Sequence, residues 1–351
     1  MEHYARVAAL PKGAPADMEG VAFPSSMQSW IESLPDDLLQ VVSIISESGG
    51  GVWIVGGSVR QCLNGVINPH DYDLTTNLRP EQVMDLFGSS NSIDVGAKYG
   101  TVIVRVRPDG DLYEITTLRC DQEYLDGRRP ESVIFGDSLL EDLERRDLTI
   151  NAMAVDLARQ LLYDPFNGYQ DLQNGVLRAV GNASTRLSED GLRVMRAYRF
   201  MDQGDAGLWS PGDDLASALR DCQYMLKNVS IERIWQEFRR ILAGQNAAQV
   251  LEKMSEDGVL STIFAGHEYD LTGQARLADI SSDEVVEARL AMMFRADDAS
   301  GLMKRLTMPK VVITGVQELN RYLSHLPNAT SVSELRLYRA VLGSRLNQQL
   351  A

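Results

Sequence analysis

Two stretches of sequence decide the fold: Val55-Gly56-Gly57-Ser58-Val59-Arg60 and, after ten further residues, Asp71-Tyr72-Asp73-Leu74. An apolar run over 51–55 predicts a buried strand that ends in the glycine pair. Side chains alternate between the faces of a strand, so the carboxylates of Asp71 and Asp73 are expected to converge on one face. Two neighbouring carboxylates repel each other, and bound Mg²⁺ removes that conflict. The pattern therefore predicts a two-metal phosphoryl-transfer site beside a turn that can approach phosphates.

Neither half of this pattern is decisive alone. A glycine pair is usually only a tight turn, and a D-x-D sequence occurs by chance at many solvated strand ends. Their occurrence together and in this order is what favours a metal site.

Length and composition limit the class of protein. The 351 residues predict two or three domains, and a hydrophobic content of 44% is ample for their cores. No apolar run approaches the roughly 18 residues that a membrane span needs, and the first twenty residues lack the apolar segment of a signal peptide. Cys62, Cys120 and Cys222 form no C-x-x-C pair, which argues against a disulfide framework and a structural zinc site. We expect a cytoplasmic protein.

The net charge of −15 argues against nucleic-acid binding over the whole surface. It leaves room for a local basic groove, because the arginines cluster in two segments.

The secondary-structure pattern predicts an α+β head followed by an all-α body and a short tail. Residues 1–30 are expected to form a loosely ordered extension, 31–175 the head, 176–250 a helical neck and 251–351 a helical body and tail. Strands are predicted over 51–55, 72–76, 93–95, 101–107 and 112–118. Helices are predicted over 30–48, 80–87, 188–202, 213–226, 230–243, 246–257, 283–296, 299–306, 310–324 and 331–346.

The first arginine segment places Arg145 and Arg146 immediately before a strand-like run. A guanidinium is a planar fork of donors that matches phosphate oxygens. The same two residues also fit a surface ion-pair cluster with the neighbouring acids Glu141, Asp142 and Glu144, and this segment alone favours that interpretation.

The second arginine segment has a period of three residues. Asp190, Arg193, Arg196 and Arg199 are expected to form one slanting ridge on a helix, with Ser188 as its N-cap. Taken alone, Asp190 and Arg193 also fit a routine i, i+3 ion pair on a solvated face.

In their order along the chain, these segments resemble the class II tRNA nucleotidyltransferase family, which includes CCA-adding enzymes and bacterial poly(A) polymerases. The resemblance covers about residues 50–245, and the chain beyond 250 is similar only in its helical character. It is carried by Gly56-Gly57-Ser58-Val59-Arg60 with Asp71-Tyr72-Asp73 (motif A), Arg145-Arg146-Asp147-Leu148-Thr149-Ile150-Asn151-Ala152 (motif B), Glu189-Asp190-Gly191-Leu192-Arg193 with Arg196, Arg199 and Phe200 (motif C), and Glu232-Arg233-Ile234-Trp235-Gln236-Glu237 (motif D). Gln61 and Leu148 depart from the family's usual Asp and Phe, at positions not expected to hold metal.

The resemblance implies a polymerase-beta-like nucleotidyltransferase head in which Asp71 and Asp73 bind two Mg²⁺ ions. When bound, the ions would lower the pKa of the RNA 3′-hydroxyl and stabilise the triphosphate and the leaving pyrophosphate. Glu114, on the strand predicted over 112–118, is the expected third carboxylate. The implied nucleotide contacts come from Gly57 and Arg60, and the implied neutralisation of phosphate charge from Arg146, Arg196 and Arg199.

Asp190 and Arg193 gain a sharper role from the resemblance, because an ionised Asp only accepts hydrogen bonds and an Arg only donates them. Cytosine and adenine both present an amino donor beside a ring-nitrogen acceptor. Guanine and uracil present a carbonyl and an N–H there, which would leave buried groups unpaired. The pair is therefore expected to select CTP and ATP without a nucleic-acid template.

Three functions remain open at this level. Addition of CTP and then ATP as CCA to tRNA 3′ ends is favoured, because the segment 121–135 resembles the loop that the family associates with the switch from CTP to ATP. The segment 95–101 lacks the basic run usual in poly(A) polymerases, although an A-only enzyme has an almost identical head. A non-catalytic RNA- or nucleotide-binding protein is disfavoured by the intact Asp71 and Asp73.

Overall fold

The computed structural model describes residues 4–67, 69, 71–120, 134–277, 282–294, 299–322, 330–345 and 348–349. The chain forms two compact units, Met1–Arg186 and Leu187–Ala351. The finer limits predicted from the sequence at residues 30, 175 and 250 stay predictions.

Within the described residues, the first unit is built around a mixed sheet of eight strands. The strands of this unit are β1 (Val21–Ala22), β2 (Val52–Val55), β3 (Asp73–Thr76), β4 (Ser92–Gly96), β5 (Thr101–Val104), β6 (Tyr113–Thr117), β7 (Arg119–Cys120), β8 (Ile134–Phe135), β9 (Ala154–Asp156), β10 (Leu161–Tyr163) and β11 (Val176–Leu177). The order in the sheet is β1-β10-β9-β2-β3-β6-β5-β4, and β7 and β8 form a separate ribbon. All five predicted strands are present, although the fourth is shorter than predicted and ends at Val104.

The strands that carry the candidate carboxylates lie side by side in this sheet. β3 pairs antiparallel with β2 and parallel with β6, so Asp73 lies opposite Val55 on one side and Glu114 on the other. β2 is apolar and buried along its whole length, as expected of a central strand. This register brings the glycine turn after β2, Asp73 and Glu114 to the same end of the sheet.

The helices of the first unit are α1 (Ala5–Ala8), α2 (Gln28–Ser33), α3 (Asp36–Glu47), α4 (Gly57–Leu63), α5 (Pro80–Phe87), α6 (Leu139–Glu144) and α7 (Gly168–Asn174), and α8 (Ala183–Glu189) contains the boundary between the units. The helix predicted over 80–87 is confirmed, because proline suits the first helical position. The single helix predicted over 30–48 is wrong. Leu34 is extended, with ψ 136°, before Pro35, which lacks an N–H, and the segment therefore forms the two helices α2 and α3.

The expectation of a loosely ordered N-terminal extension is also wrong for residues 4–30. Val7 and Met27 are fully buried, and the rings of Tyr4 and Phe23 meet edge to face. β1 adds a strand to the edge of the sheet by pairing with β10. These contacts join residues far apart in sequence, so the local pattern of small residues and prolines gave no indication of them.

The second unit is helical, apart from the short strand β12 (Ser210–Pro211), in the part of the chain that the structure describes. Its helices are α9 (Leu192–Met201), α10 (Asp213–Asp221), α11 (Ile231–Leu242), α12 (Ala247–Glu256), α13 (Val259–Ile263), α14 (Ser282–Met293), α15 (Ser300–Arg305), α16 (Lys310–Tyr322) and α17 (Val332–Leu342). Phe264 lies at the centre of an aromatic cluster with Phe238, Tyr269 and Phe294. The predicted α+β head followed by an all-α body is confirmed.

The helix predicted over 188–202 is interrupted. Ser188 lies inside α8 and is not an N-cap, and α9 begins only at Leu192 after the break at Asp190 and Gly191. Asp190 therefore precedes the helix that carries Arg193, and the predicted ridge loses its first member.

None of the helices described is long and apolar enough to cross a membrane.

Candidate active site

Three carboxylates approach one another at the end of the sheet. Asp73 is the first residue of β3 and Glu114 is its partner on β6, while Asp71 lies just before the strand. Burial raises the pKa of Asp73, Arg146 opposes this shift, and the Asp71 carboxylate adds to it. Burial also raises the pKa of Glu114, and the charge of Asp73 adds to that shift. The site thus holds negative charge that a cation would stabilise.

The glycine turn lies directly beside these carboxylates. Gly56 has φ +74°, a conformation that favours glycine. A Cβ added at Gly56 would lie 3.4 Å from Asp73 Oδ2 and 3.7 Å from Arg146 Nη1, and Gly57 faces open space. The backbone at Gly56 therefore lies close to a carboxylate and a guanidinium, and the open space is at Gly57.

The donor set fits Mg²⁺ supplied together with a phosphate-bearing substrate. Among the described residues, no group of three or more His, Cys, Asp or Glu side chains is arranged to hold a metal ion. Mg²⁺ usually takes one or two carboxylates and completes its shell with water and substrate phosphates. Asp71 and Asp73 meet that requirement, and the role of Glu114 as a third ligand stays a prediction.

Arg146 is held in place by a buried acid. Asp142 Oδ2 accepts a hydrogen bond from Arg146 Nη2 at 3.2 Å, and Asp142 Oδ1 accepts one from Arg145 Nε at 3.1 Å. Burial disfavours the charge of Asp142, but Arg146 and Arg145 outweigh it and hold the pKa of this carboxyl below its usual value. Arg146 Nη1 also donates to the Asn151 carbonyl oxygen at 3.3 Å. Of the three acids in the predicted ion-pair cluster, Asp142 pairs with both arginines; it is buried and orients Arg146 beside Asp73.

Arg60 is oriented through a second polar network. Its guanidinium donates to Asn151 Oδ1, and Asn151 Nδ2 in turn donates to Asp147 Oδ1 at 3.1 Å. Asp147 Oδ1 also accepts the backbone N–H of Leu148 at 2.9 Å, and Leu148 is itself buried. Asn151 of motif B therefore fixes Arg60 of motif A. Gly57, Arg60, Asp73, Glu114 and Arg146 all lie in the first unit.

In the second unit, Asp190 and Arg193 have separate partners. Asp190 Oδ1 accepts the Leu192 N–H at 3.0 Å at the start of α9, and Asp190 Oδ2 accepts from Arg233 Nη2 at 2.7 Å. Arg193 donates to Glu189. Asp190 is thus held by Arg233 of α11, and Arg193 is held by Glu189 of α8.

Arg196 and Arg199 both lie on α9 beside the ring of Phe200, with guanidinium carbons 5.6 and 4.3 Å from its centroid. Arg199 also pairs with the buried Glu237 of α11, Nε to Oε2 2.6 Å. Two of the predicted ridge members are thus oriented along one helix surface.

Among the anchoring residues, only Asp142 was assigned a role from the sequence, as an ion-pair partner of Arg145 and Arg146. Asp142, Asn151, Arg233 and Glu237 all lie in or next to the quoted motifs, so their position was a usable sign. The loop predicted over 121–135 lies outside the described residues except for β8.

Two protein-family descriptions match this chain. The Poly A polymerase head domain matches residues 52–178, and the probable RNA and SrmB-binding site of polymerase A matches residues 212–271. Together they include the candidate carboxylates of the first unit and Arg233 of the second.

The chain is similar to curated enzymes over most of its length. A CCA-adding enzyme of Ligilactobacillus salivarius is 37% identical over 275 residues, which are 76% of this chain and 66% of that enzyme. One from Streptococcus sanguinis is 37% identical over 289 residues, which are 78% of this chain and 69% of that enzyme. The chain thus spans slightly less than two thirds of the first relative and slightly more of the second.

The CCA-adding enzyme of Bacillus stearothermophilus, solved in complex with CTP, has a similar structure. The TM-score is 0.71 at 28% sequence identity, and the match covers 93% of this chain and 76% of that chain. The chain belongs to the class II tRNA nucleotidyltransferase family, which includes CCA-adding enzymes and bacterial poly(A) polymerases.

Proposed function

We propose that this protein is a template-independent nucleotidyltransferase that adds CCA to the 3′ end of tRNA, using CTP and then ATP and releasing pyrophosphate. The observation that carries the proposal is the convergence of Asp73, Glu114 and Arg146 at one end of the sheet. The names of the relatives, and the CTP in one similar structure, support these substrates.

In this reaction the RNA 3′-oxygen attacks the α-phosphorus of the nucleotide. The new phosphodiester bond forms as the bond to pyrophosphate breaks, and the hydroxyl proton passes to solvent water. Asp71 and Asp73 would hold Mg²⁺, which when bound would supply Lewis acidity to the hydroxyl and the triphosphate. Glu114 adds negative charge beside Asp73 and strengthens the attraction for the cation.

Basic side chains and the glycine turn bind the triphosphate. Arg146, fixed by Asp142, neutralises phosphate charge next to the metal-binding carboxylates. Arg60, fixed by Asn151, contacts the nucleotide, and Gly57 allows close approach because a Cβ there would meet no atom of the described residues within 4 Å, its chain neighbours aside. Arg196 and Arg199 of the second unit neutralise further phosphate charge.

Base selection belongs to Asp190 and Arg193. A carboxylate has lone pairs beyond those that Arg233 and the Leu192 N–H occupy, and a guanidinium has five N–H donors. Asp190 therefore accepts the amino group of cytosine or adenine, and Arg193 donates to the adjacent ring nitrogen. Guanine and uracil leave both groups unpaired.

The test uses three tRNA transcripts that end before the CCA sequence, after its second C, and after its A. Each is incubated with Mg²⁺ and with CTP, ATP or both. We expect the first to be completed only with both nucleotides, the second to accept one A, and the third to stay unchanged. Long A tails on unrelated RNA would replace the proposal with poly(A) synthesis, and extension of the second transcript alone would replace it with A-only addition.

Variants assign the roles. Asp73→Asn should abolish incorporation, whereas Asp85→Asn, an exposed acid on α5, should leave it unchanged. Asp190→Ala should let UTP or GTP compete with CTP, whereas Asp213→Ala, an exposed acid on α10, should not. Unaltered selectivity in Asp190→Ala would remove the templating role from this residue.

A cytoplasmic location and RNA binding by residues 251–351 stay predictions.

A further inference from the structure

The Asp71 carboxylate lies outside the regular sheet. β3 begins at Asp73, so the ladder bonds that fix Asp73 and Glu114 do not extend to Asp71. An intended metal ligand needs a defined position, because displacement of a reacting group by about 1 Å costs on the order of 100-fold in rate. Some contact outside the ladder must therefore hold this residue.

Trp30 contacts Tyr72, the residue that follows Asp71. Its side chain, on α2, is 1% exposed, and its ring stacks on Tyr72 with centroids 6.4 Å apart and planes inclined by 27°. Tyr72 stands directly between Asp71 and Asp73. A bulky buried ring against the middle residue restricts the backbone of both neighbours.

A second contact links α2 to the chain that leads to Asp71. The Ser33 hydroxyl lies 2.8 Å from the Ile67 carbonyl oxygen and 2.8 Å from the Trp30 carbonyl oxygen. α2 itself is fixed in the first unit, because Ile31 and Met27 are fully buried. Two residues of α2, Trp30 and Ser33, thus contact the chain on either side of Asp71, at Tyr72 and Ile67.

We propose that Trp30 is a positioning residue for the candidate metal site: by stacking on Tyr72 it fixes the Asp71 carboxylate in the place that a divalent cation requires. The inference rests on the proposed function, since that function gives Asp71 its role. Residues that orient metal ligands from outside the first shell typically change metal affinity or activity by about 10- to 100-fold.

The test compares Trp30→Ala, Trp30→Phe and Phe23→Ala in the full-length chain. Phe23 is a matched control, because it is buried in the same N-terminal segment and packs on Tyr4. Mn²⁺ serves as the probe, and its binding is titrated by electron paramagnetic resonance, with Asp71→Ala as the reference for loss of the site. The kcat and KM for CTP and the melting temperature are measured on the same proteins.

We expect Trp30→Ala to weaken Mn²⁺ binding by about tenfold and to lower kcat more than it changes the KM for CTP. Trp30→Phe should restore most of both, because a phenyl ring still stacks on Tyr72. Phe23→Ala should lower the melting temperature without changing Mn²⁺ affinity. Equal effects of the two alanine variants on Mn²⁺ affinity, or none from Trp30→Ala, would overturn the inference. Wild-type protein that binds Mn²⁺ through Asp71 but incorporates no nucleotide would contradict the proposed function alone, and the titration would still decide the role of Trp30.

Discussion

At the scale of single residues, two of the motif arginines are each paired with a buried acid. Asp142 holds Arg146 in the first unit, and Glu237 holds Arg199 in the second. The sequence offered ion pairing and phosphate binding as alternatives; the structure shows the ion pairs, and phosphate binding by the same side chains stays a prediction. A guanidinium has five donors, so one edge can be fixed by an acid while the other faces a ligand.

The first prediction concerns Asp142. Asp142→Asn leaves two partly buried guanidiniums without their counter-charge, so the free energy of unfolding should fall by about 2 to 3 kcal/mol. Arg146 should lose its fixed orientation, so kcat/KM for CTP should fall as well. Urea unfolding and steady-state incorporation measure the two effects.

Asp156→Asn is the control for this variant. Asp156 is equally buried and also pairs with an arginine three residues later, Arg159, at 2.9 Å, but on β9. It should reduce stability to a similar extent and leave kcat/KM unchanged. Equal losses of activity in both variants would mean that Asp142 acts only through stability.

The second prediction is the acid response of the same residue. The pKa of Asp142 is lower in the folded chain than its ordinary value, so the folded state favours the ionised form. Its stabilising contribution is complete above the unfolded pKa, about 3.9, and is lost as the pH falls through the folded pKa. Urea midpoints at pH 7, 5, 4 and 3.5 should therefore fall more steeply for the wild type than for Asp142→Asn. Parallel curves would contradict this linkage.

What the sequence predicted at this scale was local. Alternation along a strand predicted that Asp71 and Asp73 lie together, but β3 begins at Asp73 and does not include Asp71. The strand predicted over 112–118 is present as β6 and carries Glu114. The partner of Asp190 was not predictable, because Arg233 lies 43 residues away on another helix, whereas the partner of Arg193 is the nearby Glu189. An i, i+3 pattern predicts a neighbour on one helix, and here the helix is interrupted between its first two members.

At the scale of elements, the break between α8 and α9 is the feature that places Asp190. Gly191 stands at the break, with Asp190 accepting the Leu192 N–H just before the helix. A Cβ on Gly191 would lie 2.5 Å from the Met225 carbonyl oxygen, a backbone atom that cannot move aside cheaply. The absence of a side chain therefore lets α9 begin close to the backbone at Met225.

The third prediction follows from this close approach. Gly191→Ala should lower the free energy of unfolding by roughly 1 to 3 kcal/mol, the usual cost of overpacking. It should also shift Asp190 and weaken discrimination between CTP and UTP. Thermal unfolding and competition between the two nucleotides measure these effects.

Gly301→Ala is the matched control. Gly301 also lies in a helix of the second unit, α15, but a Cβ there would meet open space. That variant should be neutral or more stable by up to about 1 kcal/mol, because alanine favours a helix over glycine. If Gly191→Ala were also neutral or more stable, the close approach of Gly191 to the Met225 carbonyl oxygen would have no effect on stability.

The predicted elements were correct where a local residue sets the boundary of a helix. They were wrong where contacts with distant residues determine the structure. Pro80 marks the beginning of α5, but the interruption at Pro35 was overlooked although the same physical rule applies. The extension over residues 4–30 carried no periodic pattern, and its order comes from partners such as β10. Asp17 shows the same effect, because it accepts the N–H groups of Leu139 and Leu140 at the start of α6.

At the scale of the whole molecule, the net charge distinguishes two possible ways of binding RNA, through a broad basic surface or through a few local contacts. The chain carries 34 basic and 49 acidic residues, so its overall field repels a polyanion. The proposed RNA binding must then depend on local contacts, such as those of arginines held in defined orientations. A fold that presents a few fixed cations favours a shaped RNA end over an arbitrary strand.

The fourth prediction is therefore a preference for structured RNA at low salt. A hairpin that mimics a tRNA acceptor end should bind at least about tenfold more tightly than an unstructured RNA of equal length and charge at 50 mM KCl, as measured by fluorescence anisotropy. Each phosphate contact adds about 0.7 to 0.9 to the slope of log affinity against log salt, so a few contacts should give a shallow slope between 50 and 200 mM KCl. Because the two RNAs carry the same charge, any difference between them reports shape rather than electrostatic attraction. Equal affinities with a steep common slope would instead indicate a broad basic surface, and would favour poly(A) synthesis on arbitrary RNA over addition to tRNA.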